Sequence, residues 1–112
     1  MHSRKLLVLV LLGLSLAAAA DFRTITEVHE VDLIDLRLPG TEGGTLAINE
    51  CDDCEALTLR VSAGTRYVLN DRDVTLAQFK KAVSRITNRE DVIVDVFHHL
   101  ESNTATTVRV SL

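Results

Sequence analysis

Aromatic side chains are scarce in this sequence, which has no tryptophan, one tyrosine and three phenylalanines in 112 residues. Platforms that stack sugars or single-stranded bases need several flat rings together, so Phe22, Tyr67, Phe79 and Phe97 argue against such a role. Basic charge is also short. Of the 12 lysines and arginines, Arg4 and Lys5 lie in the first twenty residues, leaving 10 against 16 acidic side chains in the remaining 92 residues. A net charge of −6 over that stretch lacks the basic footprint that nucleic acid or an anionic membrane surface requires.

Long apolar runs are missing too, with one exception at the start. His2, Arg4 and Lys5 precede the aliphatic stretch Leu6 to Leu16, and Ala17 to Ala20 close it with small residues. This order is that of a cleavable signal peptide, and it predicts cleavage between Ala20 and Asp21. The stretch is shorter than the roughly 20 residues that span a bilayer, so stable membrane insertion after cleavage is not expected. No cysteine follows the small residues, which argues against a lipid anchor there. The expected location is periplasmic or secreted, with residues 21–112 forming a single small domain.

No G-x-S-x-G, H-E-x-x-H or glycine-rich phosphate loop occurs. Gly40, Gly43 and Gly44 are not followed by a helix start, so they read as turn residues. No catalytic residue and no cofactor are expected.

The remaining pattern is that of an α+β domain. Leu57, Leu59 and Val61 alternate with polar neighbours, as do Val108, Val110 and Leu112. Strand-like runs also cover Arg23 to Leu38, with a phase slip at Ile34, then Thr45 to Glu50, Thr65 to Asn70 and Asp91 to Leu100. The last is apolar on both sides apart from Asp95, as a central strand would be. One helix is expected over Thr75 to Thr87: Thr75 and Gln78 have capping-box spacing, Val74 and Phe79 form a staple, and Leu76, Phe79, Val83 and Ile86 make a stripe. Together these predict a mainly antiparallel sheet of about five or six strands with that helix on one face. The capped helix between strands from Thr65 to Val96 is too common an arrangement to identify a family.

The chemistry that stands out is Cys51-Asp52-Asp53-Cys54, the two cysteines being the whole complement of the chain. Positions i and i+3 of a turn lie within reach of a disulfide, and an exported protein meets an oxidising compartment. The expected role is a structural disulfide closing a hairpin turn. A thiol-redox site is the alternative, but Cys51 follows a strand-like run, not a helix N-terminus, and Glu50, Asp52, Asp53 and Glu55 disfavour thiolate. Half a zinc site is the third reading, with Cys51 and Cys54 joined by His98, or by His29 or His99. His98 and His99 are adjacent and point to opposite sides of a strand, so without a bulge both cannot serve one ion. Asp95 is the one carboxylate in an apolar run and a place to look for an altered ionisation, unless it sits at an edge. The functional expectation is a binding or structural role toward another exported or envelope protein, through a sheet edge or the cysteine turn.

Overall fold

The computed structural model describes residues 25–112, so the expected leader and its Ala20–Asp21 cleavage site lie outside the described residues. Eight strands and one helix follow in order: β1 Thr26–Asp32, β2 Leu36–Arg37, β3 Thr45–Ile48, β4 Leu57–Arg60, β5 Arg66–Leu69, β6 Arg72–Val74, α1 Leu76–Val83, β7 Ile93–His99 and β8 Thr104–Val110. The α+β class stands, but the sheet has eight strands instead of five or six and is mixed. The two additional strands are short. β2 sits inside what reads as continuous extended chain, and β6 follows the Thr65 to Asn70 run after a tight turn. That turn is two residues long, with Asn70 and Asp71 both at positive φ (51° and 66°), the geometry that matches a hairpin to strand twist.

The parallel pairing has its own cause. The main path of the sheet runs β1-β7-β8-β4-β3-β2, and β5 also pairs with β8, carrying β6 on its other side. β4 meets β8 at Arg60 and Thr104, while β5 runs beside residues 107–110 of β8, both parallel to it. The Ala63-Gly64 turn therefore bends one continuing strand and does not reverse it. At this bend the Thr65 hydroxyl donates to Ala105 O (2.7 Å) and accepts from Ser62 N–H (3.0 Å), replacing the ladder bonds lost there.

The sheet is strongly curled. Its terminal strands β1 and β2 are separated in the chain only by a 3-10 turn, Leu33–Asp35, at the phase slip near Ile34. Laid flat, six strands would put the two edges about 24 Å apart. Asp32 to Leu36 can span at most about 14 Å. The covalent turn itself bridges the gap, and its ends continue the ladders on either side: Leu33 N–H donates to Val92 O (2.7 Å) beyond the β1–β7 pair, and Asp35 O accepts from Asn49 N–H (2.9 Å) beyond the β2–β3 pair.

Inside the curl lie Val31, Leu33, Leu46, Leu59, Val94, Val96, Val108 and Val110, all buried. The alternation of β7 and β8 places their valines here. β7 is central as expected, with β1 on one side and β8 on the other. Its Asp95 faces outward and pairs with Arg109 (3.0 Å), whose guanidinium also stacks 5.2 Å from the Phe97 ring.

Helix α1 covers part of the core. Its predicted capping box is present: Gln78 N–H donates to Thr75 Oγ1 (3.1 Å) and Thr75 N–H to Gln78 Oε1 (2.9 Å). Leu76, Phe79 and Val83 are buried, and a core side chain of this size contributes roughly 1.5–3 kcal/mol. The helix stops at Val83, four residues before the expected Thr87. Ser84 donates its hydroxyl to Lys81 O (2.7 Å), the next two amides bond only three residues back, and Arg89 takes up Val83 O (3.1 Å). Ile86 stays half-buried against the core beyond the helix end.

Phe79 packs on Tyr67 with ring centroids 5.6 Å apart. Tyr67 is 4% exposed, and its hydroxyl has no hydrogen-bond partner among the described residues. Burial, reinforced by the negative charge of Glu42, pushes its ionisation above the usual tyrosine range.

Two outcomes are expected from this packing. Thr65→Val, which keeps the shape but strands Ser62 N–H and Ala105 O, should lower unfolding free energy by about 1–3 kcal/mol in urea titrations. Tyr67→Phe should be neutral or slightly stabilising at pH 7, since the hydroxyl it removes has no protein partner. Because the folded state holds Tyr67 protonated, the unfolded chain ionises first, so stability falls as pH rises above about 10. Melting curves at alkaline pH should show that fall lessened in Tyr67→Phe.

Candidate functional site

Two places carry unusual chemistry. The first is the connection between β3 and β4. These strands pair antiparallel from Thr45 opposite Arg60 to Ile48 opposite Leu57, leaving residues 49–56 as an exposed loop. Within it Cys51 and Cys54 are joined by a disulfide, with Cα atoms 5.2 Å apart. Cys54 N–H donates to Cys51 O (3.3 Å), which is the i to i+3 bond of a turn. The hairpin expected from the spacing is therefore present. Cys51 follows β3 and Cys54 precedes β4, so neither cysteine opens a helix, the position at which a helix dipole activates redox cysteines. Joined to each other, the two sulfurs offer no thiolate to a metal.

A groove of about 660 Å³ at this loop is lined by Cys51 and Asp52 together with Ile34, Leu36 and Arg37. Ala47 of β3 and the carboxylates Asp35, Glu50 and Asp52 also line it. The disulfide-bonded Cys51 is thus one of the residues lining this groove.

The second place is the end of the β1–β7 pair. Glu27 lies opposite His98 and His29 opposite Val96, which puts Glu27, His29 and His98 on the inner face. His29 Nε2 stands 3.1 Å from His98 Nδ1. His98 is 7% exposed, His29 half-buried and Glu27 exposed, and one donor atom from each lies within 4.8 Å of the others.

The proton positions follow from Asn103, at positive φ in the β7–β8 turn. Its Nδ2 donates to Thr58 O (3.2 Å), so Oδ1 is the atom presented 2.9 Å from His98 Nε2. With both rings neutral, this places the His98 proton on Nε2 and makes Nδ1 the acceptor that faces His29 Nε2. Asn103 is itself held, since its carbonyl accepts from Arg60 N–H (3.0 Å).

The sequence reading put His98 and His29 among the possible partners of the cysteines. The structure instead brings them to each other and to Glu27, which that reading did not single out. Glu27 and His29 carry i, i+2 spacing on a strand, a signal visible in the sequence, but its pairing with His98 depends on β1–β7 register. His99 points to the other side as expected, and its Nδ1 meets Ser102 Oγ (2.9 Å).

No protein-family model matches this chain, and comparison with curated proteins and with solved structures found no match.

The short disulfide loop constrains the unfolded chain modestly, and the chain-entropy relation gives about 2 kcal/mol. Replacing both cysteines by serine should cost about that much in denaturant unfolding and leave β-sheet circular dichroism unchanged. Thiol titration of the unfolded, unreduced protein should find no free thiol, and two after reduction.

Proposed function

We propose that this is an exported binding domain that offers the free edge of β1 to an extended segment of another exported or envelope protein. The observation that carries the reading is the state of that edge. Among the described residues β1 pairs only with β7 along all seven of its positions, and no backbone bond leaves its other side toward a strand. Alternate amides and carbonyls of such an edge are unpaired, and main-chain addition of a strand satisfies them.

The side chains specify what would add. On the outer face β1 presents Val28, half exposed beside Phe97, with Glu30 and Asp32 following. Opposite charges facing each other across strands are favourable and like charges are not, so the partner segment carries Lys or Arg opposite the acids and an apolar residue near Val28. In this reading the Cys51–Cys54 disulfide holds the far side of the sheet in shape and takes no part in redox chemistry. Export rests on the leader pattern of residues 1–20, with which the disulfide is compatible.

Photo-crosslinking in the native host tests the reading, with the reactive residue placed at position 28, at 52 in the cysteine loop, or at 71 in the β5–β6 turn. The expected result is a salt-sensitive adduct from position 28 whose mapped peptide is basic and extended. Adducts only from 52 would move the interaction to the cysteine groove. Adducts of twice the chain's own mass, mapping β1 onto β1, would replace the partner by self-association.

A further inference from the structure

We propose that Glu27, His29 and His98 form a binding site for one borderline divalent transition-metal ion of the zinc type. The geometry is already close to that of a coordination shell. Two imidazole nitrogens on one tetrahedral zinc, each about 2.0–2.1 Å from the ion, stand about 3.3 Å apart. His29 Nε2 and His98 Nδ1 are separated by 3.1 Å. A carboxylate oxygen of Glu27 lies within 4.8 Å of both, on an exposed side chain free to rotate inward.

The surroundings of His98 are those of a ligand. Metal-bound histidines commonly donate the second ring N–H to an oxygen, which fixes the tautomer and the ring orientation. His98 Nε2–H does this toward Asn103 Oδ1, and Asn103 is anchored in turn on Thr58 O and Arg60 N–H of β4. The lone pair of Nδ1 is thereby aimed along β1 at His29. For His29 to coordinate through Nε2, that nitrogen must present its lone pair, which places the ring proton on Nδ1.

The donor set selects the ion class. Calcium and magnesium take six or more oxygens, and two imidazoles with one carboxylate suit neither. Nitrogen-rich sets of this kind favour zinc, copper or nickel over the hard cations. Three protein donors leave a fourth position, which the exposed side of Glu27 opens to water. A hydrogen-bonded histidine pair filling the end of the core would account for His29 and His98 by itself. It gives no reason for Glu27 to stand within reach of both.

Calorimetric titration of the tag-free full chain with zinc chloride tests the site, in a His2→Ala background that removes the imidazole near the chain start. One equivalent is expected to bind at micromolar or lower dissociation constant and to raise the melting temperature. His29→Gln should weaken binding at least about tenfold. Glu27→Gln should weaken it by a smaller factor, and His99→Gln should leave it unchanged. Imidazole nitrogen NMR on the His2→Ala chain gives a readout that needs no change at the site: zinc should shift His29 Nε2 and His98 Nδ1 while His98 Nε2 keeps its proton. Absence of binding, equal affinity in His29→Gln, or shifts confined to His99 would each overturn the proposal.

Discussion

The short link between the first and last strands of the sheet constrains everything else in this domain. β1 and β2 lie at opposite ends of the strand path yet are three residues apart in the chain, so the sheet must curl until its ends approach. Curling gives an inside, and the alternating aliphatic residues of β3, β4, β7 and β8 fill it. It also explains why Leu33, in an irregular turn, is fully buried: the turn passes over the closing seam, with its backbone bonded to both flanks. With few aromatic residues, the described part of the chain gains its core by wrapping one sheet, with the two-turn helix α1 covering part of what the wrap leaves open.

The same economy governs the bend at residues 61–65. One strand serves two neighbourhoods of β8, first as β4 beside β3 and then as β5 beside β6, because Thr65 supplies the hydrogen bonds that the bend removes. Burying Ser62 N–H or Ala105 O without a partner would cost more than one such bond contributes when made. That hydroxyl thus stabilises the bend at which the parallel pairing meets the antiparallel hairpins. The disulfide at residues 51 and 54 works at a different level. It shortens the excursions of a loop already bounded by a paired hairpin, which is a modest contribution to stability and a larger one to the shape of the groove beside it.

Local features were legible in the sequence and long-range ones were not. The capping box at Thr75 and Gln78, the stripe of Leu76, Phe79 and Val83, the break near Ile34 and the reach of Cys51 to Cys54 are all set by neighbours within four or five residues. The strand count failed at β2 and β6 because two- and three-residue strands carry no period to detect. The parallel pairing failed because Ala63-Gly64 looks locally like any reversing turn, and only the distant Ala105 shows that it is a bend. Asp95 illustrates the middle case. Its outward direction follows from alternation with Val94 and Val96, but the Arg109 that stabilises it lies across a strand pair whose register the sequence does not reveal.

Glu27, His29 and His98 belong to that last group, and this bears on how the cysteines and histidines should be divided. A lone C-x-x-C together with scattered histidines invites one composite site, since each half looks incomplete. Register separates them: His98 is drawn to the β1–β7 end and fixed through Asn103, while Cys51 and Cys54 are consumed by their own bond in the β3–β4 loop. The two features then answer to different physics. Closing a four-residue ring is local, set by backbone turn geometry, and persists wherever the compartment is oxidising. Bringing two imidazoles to 3.1 Å is tertiary and depends on the β1–β7 register, because a slip by one residue would turn Glu27 and His29 to the outer face. A ligand that ties Glu27 and His29 to His98 would therefore also pin the register of the edge strand that the proposed partner is to extend.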